Sequence, residues 1–253
     1  MNTYAGLHAR HYDVVYRDKP YTEEARFVDS LLRDCGIARG RLLDLACGTG
    51  RHASEFSSLG WQVTGVDISE ALLEHARINA PAASFVRQDM RNLDLPGERF
   101  EAVTCLFDAI GYALTDEGVM ATLEAVARHL VDDGGVVLEF LHAPALLSNA
   151  SPLRIRRFEL SDQGHELVRI STTRLDPDQR LMEVEYELLE LRGDGTYERW
   201  LETQANRFFE LPEMERLLDR AGLEDHRLVP AYRGGDRIDA DTFHVIAFGR
   251  RSR

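Results

Sequence analysis

Cysteine is scarce in this chain of 253 residues, with only Cys35, Cys47 and Cys105. Their number is odd and their spacing fits no metal-ligand pattern, which agrees with a reducing compartment. The start, MNTYAGLHARHYDVVY, carries no secretory apolar stretch, and a cytoplasmic location is expected. No apolar run approaches the roughly 20 residues that span a bilayer, so no membrane partner is expected. Positive charge is also short. Thirty basic residues against 43 acidic ones give a formal net charge of −13. Such a chain repels phosphate backbones unless a basic face is set apart, and nucleic acid is not an expected partner. The basic tail Arg250-Arg251-Ser252-Arg253 reads as a frayed, solvated end. His52, His142 and His165 show no ligand spacing, so no metal site is expected.

Hydrophobic residues make up 44% of the chain, enough for the core of one large α/β domain. Apolar runs at Arg41–Cys47, Gln62–Ile68, Phe100–Phe107 and Gly135–Leu141, with a weaker one at Ser84–Asp89, suit strands buried on both faces of a parallel sheet. Helical spacing lies between and before them, at Thr22–Arg33, Ser69–Asn79 and Asp116–Leu130. This order calls for a doubly wound sheet. Near Ala150 the period becomes two. RLMEVEYELLEL, Arg180 to Leu191, sets Met182, Val184, Tyr186 and Leu188 against Leu181, Glu183, Glu185 and Glu187. An antiparallel sheet with one wet face follows from that alternation. A short helix at Leu211–Ala221 and strands near Leu223–Val229 and Thr242–Gly249 close the chain.

The chemistry centres on Leu42-Leu43-Asp44-Leu45-Ala46-Cys47-Gly48-Thr49-Gly50-Arg51, a buried strand that ends in a glycine turn and opens a helix. Gly48 and Gly50 let a ligand approach the backbone, and the helix start offers free N–H groups. Some twenty residues on, Asp67 ends the next strand with a carboxylate placed to accept ribose hydroxyls. Gly48-Thr49-Gly50-Arg51-His52-Ala53 also fits a dinucleotide fingerprint. Against a nicotinamide oxidoreductase stands the lack of any recognisable hydride-transfer constellation.

In these residues the chain resembles the class I S-adenosylmethionine-dependent methyltransferases. DLACGTGR looks like their first motif and GVDIS like their second; QDMR looks like the segment beside adenine, and AVTCLF like the fourth motif. Ala46 stands where many members have glycine, which requires more room at the backbone. YDVVY at 12–16, PYTEEA at 20–25, QDMRNLDL and CLFDAIGYAL further resemble small-molecule N-methyltransferases acting on amino sugars and natural products. EFLHAP matches that group poorly. The resemblance implies a Rossmann-like methyltransferase sheet with a reversed C-terminal hairpin and an appended antiparallel β-sheet lid. The parts would be a cofactor-binding core with an N-terminal helical cap over 1–150, the lid over 151–209, and a C-terminal completion of the core sheet over 210–253.

Roles follow by position. Ala46 and Gly48 would contact the methionine half of S-adenosylmethionine, and Tyr21 would bond its carboxylate. Asp67 would hold the ribose, with Ile68 against adenine. Asp89 would accept from the adenine amine beside Met90, and Leu106 would supply backbone contacts near the sulfonium. Tyr12, Tyr16 and Tyr112 would line the acceptor pocket; Tyr12 and Tyr16 equally suit one packed helical face. The expected reaction is methyl transfer to a small-molecule amine. O-methylation stays open through Asp108 and His142 as bases, as does a non-catalytic cofactor-binding module. Arg154, Arg156, Arg157, Arg169 and Arg174 suit a solvated face better than an anion grip, and Met182 and Met214 suit core filling. A homodimer stays open.

Overall fold

The computed structural model describes residues 4–160 and 164–252; Arg253 of the basic tail lies outside them. The chain opens with α1 (Gly6–Arg10), α2 (Tyr12–Val15) and α3 (Tyr21–Asp34), then alternates β1 (Arg41–Leu45), α4 (Arg51–Ser58), β2 (Gln62–Asp67), α5 (Glu70–Asn79), β3 (Ser84–Arg87) and β4 (Phe100–Cys105). After β4 come α6 (Asp116–His129), β5 (Leu130–Leu141) and α7 (Ala143–Asn149). Four long strands follow, β6 (Leu153–Glu159), β7 (Glu166–Asp176), β8 (Leu181–Leu191) and β9 (Tyr197–Arg207), then α8 (Leu211–Arg220), β10 (Leu223–Pro230) and β11 (His244–Arg251).

Seven strands form one sheet in the order β10-β11-β5-β4-β1-β2-β3. β1 through β5 are parallel, whereas β11 lies antiparallel to both β5 and β10, which is the reversed hairpin expected from the C-terminal pattern. Strands such as β1 are apolar on both faces because helices cover both. Leu43 and Leu45 pack with Phe100, Val103 and Leu123, while Leu42 packs with Val63, Phe56 and Leu32. β1 pairs with β2 on one side and β4 on the other, so the strand order reverses there. Crevices for ligands open beyond the carboxyl ends of strands at such a point.

The period-two segment forms a separate antiparallel sheet, β6-β7-β8-β9. Its inner face carries Phe158, Leu167, Val184 and Leu188, all buried, while Glu183 and Glu185 are exposed. The wet face is therefore the one the alternation indicates. α7 was not anticipated: Pro144 in its first turn suits a helix start, but seven residues carry too little periodicity to show it. The tail is not frayed as expected. Arg250 and Arg251 belong to β11, and their guanidinium groups donate to the carbonyls of Cys35 and Leu130.

Candidate active site

The glycine turn after β1 runs through three left-handed residues. Ala46 has φ +51, Gly48 φ +55 and Gly50 φ +73. At Gly50 a side chain is also barred by contact, since a Cβ there would lie 2.9 Å from that of Ala76. Ala46 takes the same conformation with a methyl group, at a cost of about 1–2 kcal/mol, so the departure from glycine is strain as well as lost room. The turn is tied down from two directions. Gly48 donates its N–H to Asp67 Oδ2 at 2.9 Å, and Thr49 Oγ1 donates to Asp13 Oδ1 at 2.6 Å. Asp67 Oδ1 accepts from the Ser69 N–H at 2.8 Å. Burial raises the Asp67 carboxyl above the usual range, against the lowering effect of these amides.

Around this turn lie two hollows. A cavity of about 300 Å³ is lined by Ala46, Gly48, Asp67, Ile68, Asp89, Met90 and Leu106, seven of the eight residues expected at the cofactor. Ile68 leaves 49% of its surface open here, an apolar wall suited to a flat aromatic ring. Asp89 also grips its neighbour, accepting from Arg91 Nε at 2.9 Å, and the hydrogen bonds from Arg91 hold its carboxyl below the usual range. A cleft of about 30 Å³ holds the eighth residue, Tyr21, with Asp44, Gly48, Thr49 and Arg51. Asp44 receives the Thr104 hydroxyl at 2.8 Å on one oxygen, while the other is buried without a partner among the described residues. Burial lifts its carboxyl to about 6. An orphaned carboxylate oxygen beside a glycine turn fits the ammonium end of an amino-acid ligand, and the apolar wall at Ile68 fits its adenine end.

A larger cavity of about 710 Å³ opens between the core and the inner face of the lid. Tyr16 and Tyr112 line it as expected. Tyr12 does not; it faces the 300 Å³ cavity and the cleft, because α2 turns its side chain toward the glycine loop. Tyr112 lines both large cavities, and its hydroxyl lies 2.8 Å from that of Tyr4 and 3.1 Å from Gln204 Oε1. Burial pushes the phenols of Tyr4, Tyr12 and Tyr112 well up, so they are neutral donors and acceptors at physiological pH rather than phenolate bases. Phe107 lines all three hollows.

The arginine expectation divides. Arg154, Arg156 and Arg169 line the large cavity with Arg233. Arg157 and Arg174 are solvated and paired with Glu166 and Glu183. Pairing register explains the split: Arg156 and Arg169 are cross-strand partners on the face that also holds Leu188 and Trp200, whereas Arg157 shares a row with Val168 on the opposite face. Met182 also lines the cavity rather than serving only as filler, while Met214 is fully buried in the core. Of the two candidate bases, Asp108 reaches the cavity. His142 is buried outside it and donates from Nδ1 to the Thr242 carbonyl at 2.9 Å, a structural role. Tyr4, Lys19, Arg233 and His244 line the cavity without any signal in the sequence, since each sits in a segment with no recognisable motif. Asp108, Glu139 and His244 bring ligand-type atoms within 4.8 Å of one another, a grouping that sequence spacing conceals because 31 and 105 residues separate the members.

Comparison with known proteins fits this geometry. Residues 42–134 match the model of a methyltransferase domain. The chain is 32% identical over 222 residues to the dTDP-3-amino-3,6-dideoxy-alpha-D-glucopyranose N,N-dimethyltransferase of Streptomyces fradiae, covering 87% of this chain and 85% of that one. It is 39% identical over 134 residues to the dTDP-3-amino-3,4,6-trideoxy-alpha-D-glucopyranose N,N-dimethyltransferase of Streptomyces venezuelae, a match spanning 52% of this chain and 56% of the relative. The crystal structure of Streptomyces venezuelae DesVI superposes with a TM-score of 0.81 at 27% identity, covering 98% of this chain and all of the other. Among the described residues no helix is long and apolar enough to cross a membrane. A glycine turn at the reversal point of a sheet closed by a reversed hairpin, together with relatives that match over most of their length, makes this chain a member of the S-adenosylmethionine-dependent methyltransferases.

Proposed function

We propose that the enzyme methylates the amine nitrogen of an amino sugar carried on a nucleoside diphosphate, and that it does so in the cytoplasm. The observation that carries this reading is the arginine lining of the 710 Å³ cavity. In a chain of net charge −13, Arg154, Arg156, Arg169 and Arg233 converge on one hollow. Arginine forks suit phosphate oxygens, and three of these four stand on a sheet rather than a loop. The relatives named above act on dTDP-linked amino sugars, which agrees with such a lining.

In this reading Asp67 accepts the ribose hydroxyls, and Ile68 and Met90 sandwich adenine with Asp89 at its amine. Ala46, Gly48 and Leu106 bound the methionine half, Tyr21 bonds its carboxylate, and the free oxygen of Asp44 takes its ammonium. The bound cofactor supplies a sulfonium that makes its methyl group electrophilic. The chain's own task is positioning, worth on the order of 7–11 kcal/mol for a well-oriented pair. Tyr112 and Tyr4, joined by their hydroxyls at the boundary between the two large cavities, orient the neutral amine, and Tyr16 supplies a further wall. The amine's proton leaves to water in the open acceptor cavity before transfer.

The test is a mass-spectrometric assay of nucleoside-diphosphate amino sugars, the same amino sugars free, and matched hydroxyl sugars. A gain of methyl mass on the nucleotide-linked amine is the expected outcome. Arg156→Leu and Arg169→Leu should each raise KM for that acceptor about 10-fold, the scale of one lost charge-assisted contact, while leaving S-adenosylhomocysteine affinity unchanged. Equal turnover of the free amino sugar, or methylation of the hydroxyl, would overturn the proposal.

A further inference from the structure

We infer that His244 is a positioning residue for methyl transfer: through Asp108 it holds the bend at Phe107–Asp108 that forms the wall between the cofactor and acceptor cavities. The inference takes its acceptor from the proposed function but concerns the geometry of transfer, whatever amine is used.

The bend is strained. Phe107 and Asp108 both have φ +58, two consecutive non-glycine residues in the left-handed region. Such a conformation persists only where the surroundings hold it. Three distant parts of the chain do so. From β5, Glu139 Oε2 accepts the Phe107 N–H at 2.6 Å, and the Tyr232 hydroxyl donates to the same oxygen at 2.6 Å. From β11, His244 Nδ1 donates to Asp108 Oδ1 at 3.0 Å and lies 3.6 Å from Glu139 Oε1. From β9, Asn206 Nδ2 donates to the Asp108 carbonyl at 3.1 Å. What the bend carries is the Phe107 ring, which meets Tyr16 edge-on at 5.1 Å, sits under Lys19 Nζ at 4.2 Å and lines all three hollows. A shift of the bend therefore moves the wall across which the methyl group must pass.

The charges around the clamp set its pH range. Asp108 and Glu139 face His244 from the β4 end and from β5, Lys19 approaches from the N-terminal segment with its partner Glu24 on α3, and Tyr232 closes the side after β10. Asp108, opposed by burial and assisted by Glu139, lifts the His244 imidazole to about 9. A raised pKa on a basic group means that the ion pair is complete at neutral pH and is lost as pH rises through about 9. His244 is thus a cation with its Nδ1 engaged, the opposite of what a general base requires.

The experiment combines three variants with two readouts in the full enzyme. His244→Ala removes the clamp; kcat for the nucleotide-linked amino sugar should fall on the order of 10- to 100-fold, the scale of a roughly 1 Å misplacement, with S-adenosylhomocysteine affinity changed less than about 3-fold. His244→Asn keeps a neutral donor near the Nδ1 position. It should restore part of kcat, and the ratio of wild-type to variant activity should collapse toward one above about pH 9, where the imidazolium is lost. Amine titration is common to both enzymes and cancels in that ratio. NMR titration of the His244 ring, which needs no acceptor, should give a pKa near 9 that drops in Asp108→Asn. A ratio flat from pH 7 to 10, or loss of S-adenosylhomocysteine binding in step with kcat, would overturn the inference, as would a His244 pKa indifferent to Asp108→Asn. So would activation by Mn²⁺ that depends on Asp108, because a metal ion would then hold these groups. If no amine acceptor turns over at all while the NMR result stands, the acceptor reading has failed and the ion pair has not.

Discussion

Asp44 has one carboxylate oxygen capped by Thr104 and the other buried and, among the described residues, unpaired, an arrangement that is costly until a cation arrives. Burial lifts its carboxyl to about 6. An ammonium ligand binds the ionised form, so affinity should be constant above about pH 7 and fall up to about ten-fold per pH unit below 6, as a proton must first leave. Calorimetric titration with S-adenosylhomocysteine from pH 5 to 8 measures this. Asp44→Asn should bind more weakly at pH 8 and lose the pH dependence; an unchanged acid limb would remove Asp44 from the ligand's ammonium. That Gly48 and Asp67 meet beside one cavity was legible in the sequence, because a glycine turn and a strand-end acid at fixed spacing are local features. Tyr12 was not placed correctly, since which cavity a helical tyrosine meets depends on how α2 docks on the glycine loop.

At the scale of elements, a buried guanidinium at the end of β9 is one of the ties between the lid sheet and the core. Arg207, at the end of β9, is 1% exposed and pairs with Asp116 in the first turn of α6 and with Glu213 in the first turn of α8. Glu213 also closes a capping box with Glu210 and receives Arg180 from the turn before β8. Removing Arg207 leaves Glu213 with Arg180 as its remaining partner and returns Asp116 to water. Arg207→Ala should destabilise the fold by about 1.5–3 kcal/mol in urea unfolding, the scale of a lost charge-assisted hydrogen bond. Asp116→Asn should cost far less, because its side chain is 56% exposed and water replaces the contact. A loss below about 1 kcal/mol for Arg207→Ala would show that its ion pairs add little to the attachment of the lid. The strands and helices were readable from their periods, and most observed boundaries fall within a few residues of those expected, although β5 begins at Leu130 rather than Gly135. α7 was not, being short and apolar beside a strand of the same composition.

For the whole molecule, ligand binding and stability are linked. The N-terminal segment ties the lid to the glycine turn: Tyr4 and Ala5 donate their N–H groups to Glu202 of β9 at 2.8 and 3.2 Å, and Asp13 holds Thr49. A ligand in the 300 Å³ cavity would touch this strap at Tyr4 and Tyr12, the turn and β4's end together. S-adenosylhomocysteine at about 100 times its Kd should stabilise the native state by about 2.7 kcal/mol. For a chain of this size that corresponds to a rise in Tm of roughly 5–11 °C. NAD at the same concentration should give none, and a shift with NAD alone would reverse the choice between the two readings of the glycine turn.

The sequence by itself determined the sheet, its reversed hairpin, the lid and the family, because these rest on periodicity, on turn residues and on motifs contained in short stretches. Only the tertiary structure decided which arginines face a cavity, that His142 is structural, and that His244 meets Asp108 and Glu139. Those facts depend on strand register and on contacts across a hundred residues or more, where spacing along the chain carries no information about distance in space.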